Sequence, residues 1–140
     1  MKRTLTLTLL VALFTLSATT PCAAQSKLEK RYDYTLRNLK LDKQTEEKFA
    51  PVLRAYLTEK KAAEKKYDDL KDKYKAAEKA GTITDAQAKQ LMDAKLECAQ
   101  KELDVKRKYY VEFQKVLKPK KVYYAFDLAG DEMSKIEGKE

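Results

Sequence analysis

Residues 42–80 read DKQTEEKFAPVLRAYLTEKKAAEKKYDDLKDKYKAAEKA, and their spacing decides the fold. Phe49, Leu53, Tyr56, Lys60, Ala63, Tyr67, Leu70, Tyr74 and Ala77 alternate steps of four and three. That is the heptad seam of an amphipathic helix. Lys60 is its charged interruption. Asp42 stands where an N-cap belongs, and Gly81 where a helix ends. Pro51 falls inside the run, where it removes a backbone hydrogen bond and is expected to bend the helix.

Working outward, Ile83-Thr84-Asp85-Ala86-Gln87 opens a second long element. Thr84 and Gln87 have capping-box spacing, in which each side chain satisfies an orphan amide of the other residue. Met92, Leu96, Ala99, Leu103, Lys106, Tyr110, Phe113 and Leu117 then repeat the four-three step. Two long helices joined by so short a turn are expected to run antiparallel with these seams facing. Pairing around the turn sets Tyr67 near Leu96 and Leu53 near Tyr110.

Pro119 suits the first position of another helix. Its stripe is Val122, Tyr123, Phe126, Met133 and Ile136, weakened at Gly130. Leu28, Tyr32, Leu36 and Leu39 make a short amphipathic stretch before the long pair. The expectation is an all-α chain of four helices built on a long antiparallel hairpin. One domain spans residues 25–136, and residues 137–140 form a frayed polar tail. So thin a layout buries little apolar surface, which favours a homodimer.

The N-terminal 24 residues read as a secretory signal peptide. Lys2 and Arg3 begin it, an apolar run from Leu5 to Leu16 follows, and small residues end it at Cys22-Ala23-Ala24. The run is shorter than the roughly 20 apolar residues a membrane-spanning helix needs. Export with cleavage after Ala24 is expected, an uncleaved anchor being the alternative. Thr19-Thr20-Pro21 lacks the leucine and small-residue pattern of a lipid-attachment site, so Cys22 is expected to leave with the signal. Cys98 then stands alone, either buried or free, or paired with a second chain.

Composition narrows the chemistry. The chain has no histidine and no tryptophan, and only three glycines and three prolines. Without histidine there is no Ser-His-Asp or Cys-His nucleophile and no imidazole for a metal. No glycine-rich loop follows a strand to cradle a nucleotide. Asp68-Asp69 suits a solvated helix face better than a catalytic pair. The chain is therefore read as no enzyme, with no cofactor and no metal.

The positive charge is concentrated. Without Lys2 and Arg3 the chain keeps 28 basic against 22 acidic residues, and residues 106–126 alone hold seven basic residues against the single acid Glu112. Tyr109-Tyr110 and Tyr123-Tyr124 are interleaved with those charges. Val105, Tyr109 and Val116 lie beside the main stripe, so the apolar surface is wider than one seam requires. Three readings are open. The extra face packs on the terminal helices or a dimer mate; it binds unfolded chains through tyrosine contacts and lysine steering; or it binds nucleic acid, for which basic-aromatic composition is a cue. Export argues against nucleic acid. An anionic membrane or polysaccharide surface is a further possibility.

An exported, basic, four-helix chain with Ile83-Thr84-Asp85-Ala86-Gln87 at a helix start resembles the Spy/CpxP group of periplasmic proteins, named for Leu-Thr-x-x-Gln motifs. Degenerate versions stand at Leu41-Asp42-Lys43-Gln44 and Leu117-Lys118-Pro119-Lys120-Lys121. The resemblance covers roughly residues 39–126. The best motif opens the third helix, whereas the family's motifs usually open the second and last. The resemblance implies a cradle-shaped, all-helical antiparallel homodimer that holds unfolded or aggregating proteins in the periplasm without ATP. Relatives that bind zinc use histidines, so no metal role carries over. On this reading Lys106, Arg107, Lys108, Tyr109, Lys115, Lys120, Lys121 and Tyr124 are the client contacts, and Ile83, Thr84 and Gln87 form the capping motif. The rivals are a regulatory adaptor of an envelope-stress sensor and a structural envelope coiled coil. Skp-like chaperones need terminal strands for which no alternating pattern exists.

Overall fold

The computed structural model describes residues 25–130, and these are all helix and short connection. Four helices follow in order: α1 (Lys27–Leu39), α2 (Lys43–Lys79), α3 (Asp85–Gln114) and α4 (Pro119–Gly130). The signal peptide, the polar tail, and the stripe positions Met133 and Ile136 lie outside the described residues. No helix among those described is long and apolar enough to cross a membrane.

Local chemistry sets the ends. The Ser26 hydroxyl accepts from the Glu29 amide, and the Asp42 carboxylate accepts from the Thr45 amide at 3.0 Å. Thr84 and Gln87 form the complete reciprocal capping box. Gly81 takes the left-handed conformation at φ +67°, which lets the chain reverse within a few residues. Pro51 sits on the exposed side of α2, and the helix runs through it unbroken.

After that reversal α3 lies alongside α2 in the opposite sense. Phe49 meets Phe113 edge-on at 4.9 Å near one end, and Tyr74 donates to Gln90 at 2.6 Å near the other. The core gathers at the end away from the Gly81 turn, where α1 and α4 close over α2 and α3. Leu39, Phe49, Leu53, Tyr56, Phe113, Val122 and Ala125 are its most buried members. Phe126 stacks on Phe113 at 4.7 Å and meets Tyr56 edge-on at 5.3 Å, so α4 is part of this core. Beyond Asp68 toward the turn, α2 and α3 have only each other among the described residues. From Lys61 to the turn and back along α3 to Lys101, only Tyr74 and Ala94 are buried.

The α2 seam turns inward as its spacing predicts, from Phe49 to Ala77. The α3 seam holds at Phe113 and Leu117, which are buried, and is corrected from Met92 to Tyr110. Met92, Leu96, Leu103 and Tyr110 are 52%, 59%, 41% and 51% exposed. The neighbouring stripe faces α2 instead: Leu91, Ala94, Cys98, Glu102, Val105 and Tyr109. The axial pairing holds while the helix is turned by one residue, about 100°.

Charge explains the choice. Lys60 sits in the α2 seam with its side chain largely covered, and it needs an acid. Glu102 on the inner stripe lies 3.8 Å from its ammonium, with Glu64 at 3.1 Å. The other stripe would have brought Lys106 into a seam that already holds Lys60. Tyr109 adds a second reason. Its ring packs on Tyr56 and Phe113, and its hydroxyl donates to Glu59 at 2.8 Å.

Candidate functional site

Turning α3 leaves an apolar stripe in solvent that runs into the joint between α3 and α4. There Lys106, Tyr110, Gln114, Pro119, Val122, Tyr123 and Phe126, with the acid Asp127, line a groove of about 480 Å³. A smaller recess beside it is lined by Lys106, Arg107, Tyr110 and Phe126. The groove floor is formed by Val122 in the core and by Phe126 packed against it. Its walls, Tyr110 and Tyr123, are exposed. Tyr123 is 67% exposed, with Tyr124 packed edge-on against it at 5.5 Å.

The residues expected to contact clients fall into two groups. Lys106, Arg107 and Lys120 form no ion pair among the described residues and extend into solvent. Lys106 and Arg107 border the groove, and Tyr124 stands beside Tyr123.

The others are engaged within the fold. Lys108 binds Glu59 through both carboxylate oxygens at 2.7 and 2.9 Å, and Lys115 pairs with Glu112. The Lys121 ammonium donates to the carbonyl of Leu39 and reaches that of Lys40 at 3.5 Å. It satisfies orphan carbonyls where α1 ends in a left-handed residue. Tyr109 is buried, and burial followed by its bond to Glu59 pushes its hydroxyl up to about 12. It is a core tyrosine that donates a hydrogen bond at every ordinary pH.

Ile83, Thr84 and Gln87 lie at the opposite end of the molecule, and the side chains of Thr84 and Gln87 are spent on capping α3. They do not join the groove.

Tyr110, Tyr123 and Phe126 are the groove residues that the sequence reading assigned to seams. The signal that separates them is the acid at Glu102. The inner stripe sets Glu102 rather than Lys106 opposite Lys60, and Tyr110 then faces away.

A second recess, about 300 Å³, lies between α1 and α2 and is lined by Lys27, Arg31, Lys60, Lys61, Glu64 and Asp68 among others. Its charges are largely spoken for. Arg31 donates to the Ala129 carbonyl at 2.8 Å, tying α1 to α4, and Lys60 is held by Glu64 and Glu102. No set of three or more metal-ligating acids and thiols occurs among the described residues.

The comparisons with known proteins return nothing: no family model, no curated protein and no solved structure matches this chain. The functional reading therefore stands on the residues themselves.

Proposed function

We propose that the chain is an ATP-independent holdase of the periplasm, exported by residues 1–24 and acting as a thin, cradle-like homodimer of Spy-like form. The observation that carries this reading is the α3–α4 groove. It offers exposed aromatic walls at Tyr110 and Tyr123, an apolar floor at Phe126, and a rim of Lys106 and Arg107 without ion pairs among the described residues.

Such a surface suits an unfolded segment and asks for no defined ligand shape. Tyrosine rings present large contact area at small entropic cost, and their hydroxyls stay wet while the ring faces contact apolar side chains. The cations attract acidic stretches of a client over a range set by salt, about 10 Å at 0.1 M. Weak, adaptable contact also permits release as the client folds, because a folded chain withdraws the apolar residues the groove engages.

The test is light scattering of two unrelated unfolding proteins, without ATP, at low and high salt. The chain from Gln25 onward should suppress aggregation of both at near-stoichiometric ratios, and less well at high salt. Tyr110→Ser with Tyr123→Ser should abolish most of that effect. Suppression of neither client would defeat the holdase reading and favour the sensor adaptor, whose sign is one tight partner, or a structural coiled coil.

A further inference from the structure

We infer that the α3–α4 end of the molecule docks on the surface of an anionic lipid bilayer, with tyrosine rings at headgroup depth and unpaired cations on the lipid phosphates. The face includes the groove described above, but the inference does not depend on the holdase reading.

Charge is distributed differently at the two ends of the hairpin. Residues 61–101, around the Gly81 turn, hold ten basic and eight acidic residues, against seven and one in residues 106–126. Several lysines near the turn are matched along their own helix: Lys65 with Asp69, Lys89 with Asp93 and Lys101 with Glu97, at 2.6–2.7 Å. Such pairs mark a solvated face. At the α3–α4 end, Lys106, Arg107, Lys118 and Lys120 are exposed and form no ion pair among the described residues. Four places after Lys106, Arg107 and Lys120 stand Tyr110, Val111 and Tyr124. These three are 51%, 54% and 43% exposed.

Helical spacing therefore sets cations and apolar groups side by side. Lys106, Arg107, Tyr110 and Val111 share the outer side of α3, and Lys120, Tyr123 and Tyr124 that of α4. Tyr110 and Tyr123 line one groove, so the two sides are continuous, and Asp127 is the one acid in that lining. Basic side chains rest their stems on apolar surface and lift the charge to the phosphates, while tyrosine rings suit the boundary between headgroups and acyl chains. A lipid leaflet offers phosphate across its whole area, so cations on two helices find partners at once. A short acidic peptide would reach only some of them. The docking is peripheral, since no helix among those described is long and apolar enough to cross a bilayer.

Flotation of the chain from Gln25 onward tests this with vesicles of phosphatidylglycerol, against vesicles of phosphatidylcholine. At about 0.1 M salt the chain should float with the first and not the second, and high salt should release it. Lys118→Glu with Lys120→Glu should weaken binding roughly 25-fold, about fivefold for each cation lost. Lys65→Glu with Lys89→Glu makes the same change in net charge at the other end, and should alter binding by no more than about twofold. Tyr123→Ser with Tyr124→Ser should weaken it roughly fivefold at unchanged charge. All these side chains are exposed, so circular dichroism should show unchanged helicity. Failure to float with phosphatidylglycerol, equal losses from the two lysine pairs, or indifference to the tyrosine changes overturns the inference. Capture of a single-stranded oligonucleotide without vesicle binding overturns it in favour of nucleic acid. Aggregation suppression is read separately, so the holdase reading stands or falls on its own test.

Discussion

Two apolar stripes run along α3 one residue apart, and they have opposite fates. The inner one, through Ala94, Val105, Tyr109 and Phe113, is covered by α2 and, near Phe113, by α4. The outer one, through Met92, Leu96, Leu103 and Tyr110, lies in water. The outer side chains Met92, Leu96 and Leu103 are larger than Ala94 and Val105, so hydrophobic burial alone does not choose the inner stripe. What differs is the polar company. The inner stripe brings Glu102 to Lys60 and the Tyr109 hydroxyl to Glu59. The outer would bring Lys106. The charge set opposite Lys60 thus separates the stripe that is covered from the one left in solvent.

The sharpest break between the stripes is in stability. Phe113→Ala empties a site walled by Phe49, Tyr56 and Phe126, and should cost about 3–5 kcal/mol. Tyr110→Ala, one turn earlier on the outer stripe, should stay within about 0.5 kcal/mol of the parent. Urea unfolding of both measures the contrast. Comparable losses would mean that the outer stripe is packed in solution.

A finer contrast lies within the inner aromatic cluster. The Tyr56 hydroxyl is buried with no hydrogen-bond partner among the described residues, and burial pushes its pKa to about 12. Tyr56→Phe removes that orphan and keeps the ring, so it should stabilise by about 1 kcal/mol. Tyr109→Phe removes a hydroxyl that does have a partner and should destabilise by about 1 kcal/mol. Denaturation midpoints of opposite sign are expected. Two losses would show that Tyr56 has a partner in solution.

How far the fold was legible follows from the same contrast. Helix existence and capping were plain, because Asp42, Thr84 and Gly81 act locally and the α2 seam has only one apolar face. The axial pairing of α2 with α3 was also legible, since a tight turn fixes it. The rotation of α3 was not. With Val105 and Tyr109 beside Leu103 and Tyr110, periodicity finds two stripes and cannot rank them. The site inherited that ambiguity. Tyr110 was assigned to the core and Tyr109 to the surface, the reverse of the arrangement found. Lys108 and Lys121 read as client contacts in the sequence because their partners, Glu59 and the end of α1, are remote along the chain.

The smallest predicted effect probes the charge that makes the choice. Lys60 faces two carboxylates, and burial, then the neighbouring Glu64, pushes Glu102 above the usual carboxylate range. A carboxyl held higher in the folded than in the unfolded chain costs stability wherever both forms are ionised. That cost is whole at neutral pH, shrinks as pH falls through the folded value, and vanishes below the unfolded one. Glu102→Gln keeps the shape and leaves Lys60 with Glu64 at 3.1 Å. It should therefore raise the melting temperature by about 1–3 °C at neutral pH, with the gain fading as pH falls through the carboxylate range. A loss at neutral pH would mean that Lys60 needs both acids. In that case attraction to Glu102, rather than exclusion of Lys106, chooses the inner stripe.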